Sequence, residues 1–302
     1  MSAGTNDGLG YAGPGTDNTR AQARIERRDS FVSMALSFPA LLLVVVLIFG
    51  PVGWLLGLSF VDDGHFSLAN YQRMLAPAYV SIFTQTFQIS IMVTVLAVVL
   101  AYPLAYLMSQ CSRTVAALLM IGVMLPFWTS LLVRTYAWMV VLQRRGIINE
   151  VLQWLHITDA PLRLVNNMTG TTIGMLHVML PFMILPLLSS LRQIDLTYMN
   201  AASNMGASPL RAFWTVYFPL SLPGVFAGAI LVFVMCLGFY VTPQLLGGGK
   251  VIMMSIKIQQ NAALYFNWGA ASALGVVLLV ITLGLFVILG RFARVESMFG
   301  GK

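Results

Sequence analysis

A chain of 302 residues with 58% hydrophobic and only 9% charged residues is not a water-soluble globular domain, which carries about 25% charged residues. Its mean hydropathy of +0.84 supplies apolar material for several crossings of a bilayer core, each needing about 20 helical residues. The net charge of +7 does not point to nucleic acid, because no basic stripe alternates with exposed aromatics, and the two cysteines, Cys111 and Cys236, have neither metal-ligand nor disulfide-framework spacing.

The first 30 residues are polar and rich in Gly, Asn, Thr and Arg, and read as a disordered cytoplasmic tail without the apolar core of a cleavable signal peptide. Within it, Gly8 to Gly13 matches GxGxxG in form only; no strand precedes it and no helix follows, so a dinucleotide site is rejected. Six apolar stretches follow, at Met34–Phe60, Ile82–Ser109, Thr114–Leu142, Thr171–Leu191, Leu222–Leu246 and Ala270–Gly290. They define an all-α membrane domain of six transmembrane helices over residues 31–295, with a short cytoplasmic tail at 296–302. The fourth stretch is interrupted by Pro181 and Pro186. Together with Pro103 and Pro126, these prolines suit packed or cavity-lining helices, where neighbours satisfy the freed carbonyls. Gly53/Gly57 and Gly224/Gly228 have the spacing that lets membrane helices approach closely.

Charge in the loops orients the chain. With the N-terminus inside, Arg20, Arg24, Arg27, Arg28, Arg113, Arg192, Arg211, Arg291, Arg294 and Lys302 are cytoplasmic. Arg73, Arg144, Arg145, Arg163, Lys250 and Lys257 are then outside, along with Asp62 and Asp63. This bias places both termini in the cytoplasm. In the outer loop from Gln143 to Gly170, Asn149–His156 reads as a short interfacial helix burying Ile147, Ile148, Val151 and Leu152.

The inner loop Arg192–Ser221 is long but lightly charged. Asp195 or Thr197 can cap a short helix through Ala202 that Gly206 ends, and Ser208 can cap a second helix whose first position is Pro209. Two short helices on a tight glycine turn make a rigid projection. Met205, Ala207, Leu210, Phe213 and Trp214 make it more apolar than a solvated loop, which marks a partner interface or a helix pair lying on the membrane surface.

Asn200-Ala201-Ala202, Gly206, Val216, Phe218 and Pro219 resemble the signature of importer permeases: Glu-Ala-Ala, three residues, Gly, nine residues, Ile, one residue, Leu-Pro. The chain is thereby similar to the membrane subunit of a binding-protein-dependent ABC importer with the type I permease fold. In that family this loop, here about 193–221, is the coupling helix that docks on the ATPase. The resemblance assigns coupling to Asn200, Ala201, Ala202, Gly206, Ala207, Ser208, Pro209 and Arg211. Asn200 stands where the family has Glu, which replaces a charge-assisted contact by a neutral hydrogen bond. Leu125 to Ser130, Arg134 to Trp138, Val241 to Gly248 and Phe266 to Gly269 resemble the spermidine/putrescine branch in particular.

Arg134 lies inside the third stretch, where an unpaired charge costs about 3 kcal/mol. It reads as a structural or gating residue, with snorkelling toward the helix end as the plainer alternative. Trp128, Tyr136, Tyr240, Thr242 and Gln244 are the better solute contacts, since aromatic faces attract ammonium groups and hydroxyl or amide oxygens accept their hydrogen bonds; as aromatics, the first three fit a membrane-interface belt equally well. No acidic residue lies in the six stretches, so a polycation's carboxylate partner belongs to another chain. His177 reads as packed in the bundle rather than as a proton relay. Gly247-Gly248-Gly249-Lys250 fails as a phosphate loop, with Gln244 for the first Gly and Val251 for the Ser/Thr. Asn167-Met168-Thr169 matches a glycosylation triplet in form only.

The expectation is a non-catalytic permease subunit that binds no cofactor itself, ATP and Mg being bound by a cytoplasmic ATPase dimer. Its other partners are a second, related but different permease, a periplasmic solute-binding protein and the lipids of a bacterial inner membrane. The solute is a polyamine; another small solute, such as an amino acid derivative or opine, is the alternative. A stand-alone secondary transporter would show inverted repeats and mid-membrane ionisable residues. A membrane enzyme would need a catalytic set that three scattered histidines do not provide.

Overall fold

The computed structural model describes residues 38–39, 41–62 and 64–299, with side chains through 287. The N-terminal tail, its Gly8–Gly13 motif and the four tail arginines lie outside the described residues. The chain divides into two compact units, Met1–Leu55 and Leu56–Lys302. The first holds most of α1 (Leu41–Leu58), an 18-residue apolar helix.

The second unit opens with a two-strand hairpin, β1 (Val61–Asp62) against β2 (His65–Phe66), antiparallel with Val61 opposite Phe66. This small sheet is a departure from an all-α chain. Helix α2 (Ala69–Arg73) follows. Buried Asn70 donates to the carbonyls of Ser59 and Val61 at 3.5 and 3.1 Å, while Arg73 grips Asp62 through both guanidinium amines at 3.2 and 2.8 Å.

Helix α3 (Pro77–Gln110) has 34 residues, about 50 Å at 1.5 Å per residue. Its buried stripe is mostly small or weakly polar, with Thr86, Ser90, Thr94, Ala97, Ala101 and Ala105 set among Ile82, Ile89, Val93 and Met108, while Ile91, Val95 and Val99 face outward. That pattern is expected where lipid is as apolar as leucine and packing, not hydrophobicity, draws helices together. The stripe lies on α7 (Met168–Gln193), which is buried along most of its length. Helix α10 (Phe218–Leu237) completes a three-helix core through Ser221, Gly224, Gly228 and Val232. A Cβ at Gly224 would strike Ser190, and one at Gly228 would stand 2.7 Å from Met183 Sδ, so this glycine pair serves the close approach that its spacing predicts. Pro181 and Pro186 do not interrupt α7, which runs unbroken through both. Pro181 is buried and Pro186 half-buried, but Pro103 is exposed on α3 and departs from the packed position expected of it.

The third stretch is not one straight helix. Helix α4 (Arg113–Met124) runs into a 3-10 turn at Leu125–Trp128, and α5 (Leu131–Val141) leaves it bent by 98°. Pro126 sits near the start of that turn and Thr129 is extended, with ψ 150°. The fifth stretch differs too. Its helix ends at Leu237 before Gly238, and a separate α11 (Val241–Leu246) follows. Helix α6 is Ile147–Trp154, and in it Ile147 and Val151 are exposed, contrary to expectation. The buried residue is Asn149, whose side chain bonds Gln143 O, Leu162 O and Leu162 N at 2.9, 3.1 and 2.8 Å.

Helix α12 (Met254–Gln259), a π turn at Gln260–Leu264 and α13 (Trp268–Phe299) end the described chain. Helix α13 continues into the segment expected to be a tail. Among the described residues, five helices are long and apolar enough to cross a membrane, or six if the bent α4–α5 pair is one broken span. The protein is a multi-pass membrane protein.

Candidate functional site

The loop after α7 folds locally as its residues dictate. Asp195 accepts from the N–H and the hydroxyl of Thr197 at 2.8 and 2.6 Å, starting α8 (Thr197–Asn204). The Thr197 hydroxyl, then its N–H, hold the Asp195 carboxyl below the ordinary carboxylate range. Gly206, at φ +85°, ends the helix: its N–H donates to Ser203 O at 2.9 Å and that of Ala207 to Ala202 O at 3.0 Å. This Schellman pair needs a left-handed residue, a conformation glycine adopts without a steric penalty.

Ser208 then caps α9 (Pro209–Ala212), accepting from Arg211 N at 3.4 Å, with Pro209 in the first turn. The second helix is not a separate short one. It passes through a π turn at Phe213–Tyr217 directly into α10, giving one 29-residue apolar helix from Pro209 to Leu237. Pro219, early in α10, has no N–H to offer the Thr215 carbonyl, and within the π turn Thr215 Oγ1 donates to the Arg211 carbonyl at 2.6 Å.

Asn200, Ala201, Ser208, Pro209 and Arg211 are exposed on this projection; Ala202 and Ala207 are half-buried. Met205 is 87% exposed, Leu210 70% and Trp214 56%. Tyr198 and Leu196, not singled out from the sequence, add to the same apolar surface. The signal for them was present, as two bulky apolar residues on a short turn between helices, but only the fold shows that neither is covered.

The residues proposed for the pathway fall on the bend and on α11. Trp128 is 83% exposed and Tyr136 53%. Arg134 donates to Thr129 O at 3.1 Å across the bend, with its guanidinium carbon 5.7 Å from the Phe127 ring centre. This geometry fits a structural role at the break. Gln244 is exposed and Tyr240 half-buried. Thr242 is buried, its hydroxyl 3.2 Å from that of Thr135, which joins α5 to α11 and offers nothing to a solute in this conformation. Gly174 of α7 lies under Thr242 and Leu246. His177 accepts at Nδ1 from Trp138 Nε1 at 3.1 Å, the packed role expected of it.

At the opposite end from the α8 loop, a cleft of about 260 Å³ lies between Gln85, Gln88 and Ile89 of α3 and Asn167, Met168, Lys250 and Val251. None of the six pathway residues lines it. The loop bearing Lys250 is pinned to α3, Gln85 Oε1 accepting from Ile252 N at 3.2 Å and Thr86 Oγ1 from Met254 N at 2.9 Å. Sequence reading missed these two side chains because polar residues inside an apolar helix carry no period that names their partner.

No family model matches the chain. The spermidine/putrescine transport system permease protein PotB of Escherichia coli (strain K12) is 32% identical over 254 residues, which cover 81% of this chain and 91% of that protein. The inner membrane ABC transporter permease protein YdcU of the same organism is 33% identical over 240 residues, covering 75% and 77%. Among solved structures, a chain of the bacterial alginate ABC transporter in complex with alginate pentasaccharide-bound periplasmic protein superposes with a TM-score of 0.74 at 13% identity, over 89% of this chain and 96% of that one. At that identity the likeness shows the fold alone, that of an ABC importer permease. With its relatives matched over most of their length and its fold shared with an importer permease, the chain belongs to the PotB family of ABC transporter permease proteins.

Proposed function

We propose that this protein forms half of the translocation pathway of a polyamine importer, for spermidine or putrescine, in a bacterial inner membrane. The identity of 32% with PotB across 81% of the chain carries this reading. The α8–α9 projection is its docking surface for a cytoplasmic ATPase dimer that binds ATP and Mg. Burying exposed Met205, Leu210 and Trp214 gives such a contact its driving force, at about 1.5–3 kcal/mol for each fully covered large apolar side chain. In this reading α4 and α5 are one broken span, the spans number six and both termini are cytoplasmic.

From Pro77 to Val287 the acidic residues are Glu150, Asp159 and Asp195 alone, all outside the long helices. A polycation therefore meets its carboxylates on a second, different permease or on the periplasmic solute-binding protein. The test is to reconstitute the importer with its own binding protein and measure uptake of labelled spermidine, putrescine, an amino acid and a sugar. ATP-dependent uptake of a polyamine is expected; a binding protein that takes only anions or sugars overturns the substrate.

A further inference from the structure

The π turn between the docking projection and α10 is gripped by the inner end of α3. Tyr106 meets Tyr217 and Phe213 edge-on, at 5.3 and 5.5 Å between ring centres, and Tyr102 meets Phe213 and Phe218 at 6.1 and 5.6 Å. Two hydroxyl bonds lock these rings. Ser221 donates its proton to Phe218 O at 2.7 Å, so at the 2.9 Å contact Tyr102 is the donor and Ser221 the acceptor. Ser109 likewise donates to Tyr106 O at 2.7 Å, so Tyr217 donates to Ser109 at 3.2 Å and accepts from Gln110 Nε2 at 3.4 Å. Tyr217 and Ser221 are buried, and both bonds join segments more than 100 residues apart in sequence.

A π turn inserts one residue into a helix and recurs at functional joints. Here it stands where a displacement of the projection would otherwise flex the helix and dissipate. Resting on the docking role read above, we propose that Tyr102 and Tyr217 are positioning residues that clamp this joint to α3, so that movement of the projection is delivered to the α3–α7–α10 core. The rings carry the packing, while the hydroxyl bonds fix one register of the joint against α3. Interactions of this kind transmit coupling when an element has discrete arrangements that both ends bias.

The test uses the complete importer in proteoliposomes, with the Y102F/Y217F double variant. Both rings stay, and Ser109 and Ser221 keep the acceptors of their own protons, so the fold is expected to persist. ATP hydrolysis is expected within about twofold of the parent, while solute moved per ATP falls about fivefold or more, the range of a coupling interaction. An unchanged ratio of uptake to hydrolysis overturns the proposal. So does a fall in both rates in proportion to a lower yield of assembled complex, which is what a merely structural role gives. Gly206→Val serves as the reference: if it uncouples and the double variant does not, the clamp fails and the docking role stands. If neither uncouples, the docking role fails with it.

Discussion

The two ends of the molecule are finished differently. At the end that the proposed orientation places outside, loops are closed by polar bonds to distant segments: Asn149 holds three backbone groups, Gln85 and Thr86 pin the Lys250 loop, and Asp62 pairs with Arg73. At the end it places inside, α8 is held by local bonds, one aspartate cap and one glycine turn; apolar side chains stand bare at both ends, Met205, Leu210 and Trp214 here and Leu75, Trp154 and Phe266 there. An end that satisfies itself supports the fold. A projection held only by local bonds, with apolar side chains bare, is a surface that another chain can cover.

The largest effect that would break this contrast is at Gly206. A Cβ there meets nothing within 4 Å, so the cost of Gly206→Val is in the backbone, where a β-branched residue at φ +85° is strained by about 1–2 kcal/mol. The expected outcome is a chain that inserts normally and an importer that hydrolyses ATP without uptake; normal uptake would remove the coupling role.

At the outer end, Asn149→Ala removes three hydrogen bonds, leaving Leu162 O and Leu162 N without these partners while Gln143 O keeps the Gly146 N–H at 2.9 Å. At about 1 kcal/mol for each hydrogen bond, thermal unfolding of the detergent-solubilised protein should register about 3 kcal/mol of lost stability. The uptake-to-hydrolysis ratio should stay at the parent value. Uncoupling by this variant would erase the distinction between the ends.

The double change Met205→Ser, Leu210→Ser should do the reverse. Both side chains are exposed, so stability is expected to move by less than about 0.5 kcal/mol. Affinity for the ATPase, read by co-purification at graded ATPase concentrations, should fall about thirtyfold, equivalent to about 2 kcal/mol of lost burial. Retained affinity would leave the bare surface unexplained.

The smallest effect concerns Asp195. Its carboxyl is held below the ordinary value of about 3.9 by Thr197, so the carboxylate supports α8 at every pH above that value. The support is lost only as pH falls through the depressed folded value. ATPase association should therefore show no contribution from Asp195 titration between pH 5 and pH 8, where Asp195→Asn should track the parent. A pH-dependent difference between the two in that window would place another charge beside α8.

Much of the inner end was legible in the sequence, because its structure is local. Asp195, Gly206, Ser208 and Pro209 act on backbone groups two or three residues away, and their roles follow from residue type and spacing. The pathway was less legible. Thr242 reads as a ligand for ammonium until the fold sets it against Thr135, and Arg134 reads as an isolated charge until the bend brings Thr129 O within reach. Asn149 gave no signal at all, since its partners lie six and thirteen residues away through a loop that has no period.

The sequence by itself determined that this protein lives in a membrane and that a capped helix with a glycine turn follows its fourth apolar stretch, because hydropathy and capping are properties of short segments. Only the tertiary structure decided where helices break, which small residues face α7 and which tyrosines close on the π turn. Those outcomes depend on contacts between residues up to 119 positions apart, and in a chain so uniformly apolar no local pattern separates a face that meets lipid from one that meets another helix.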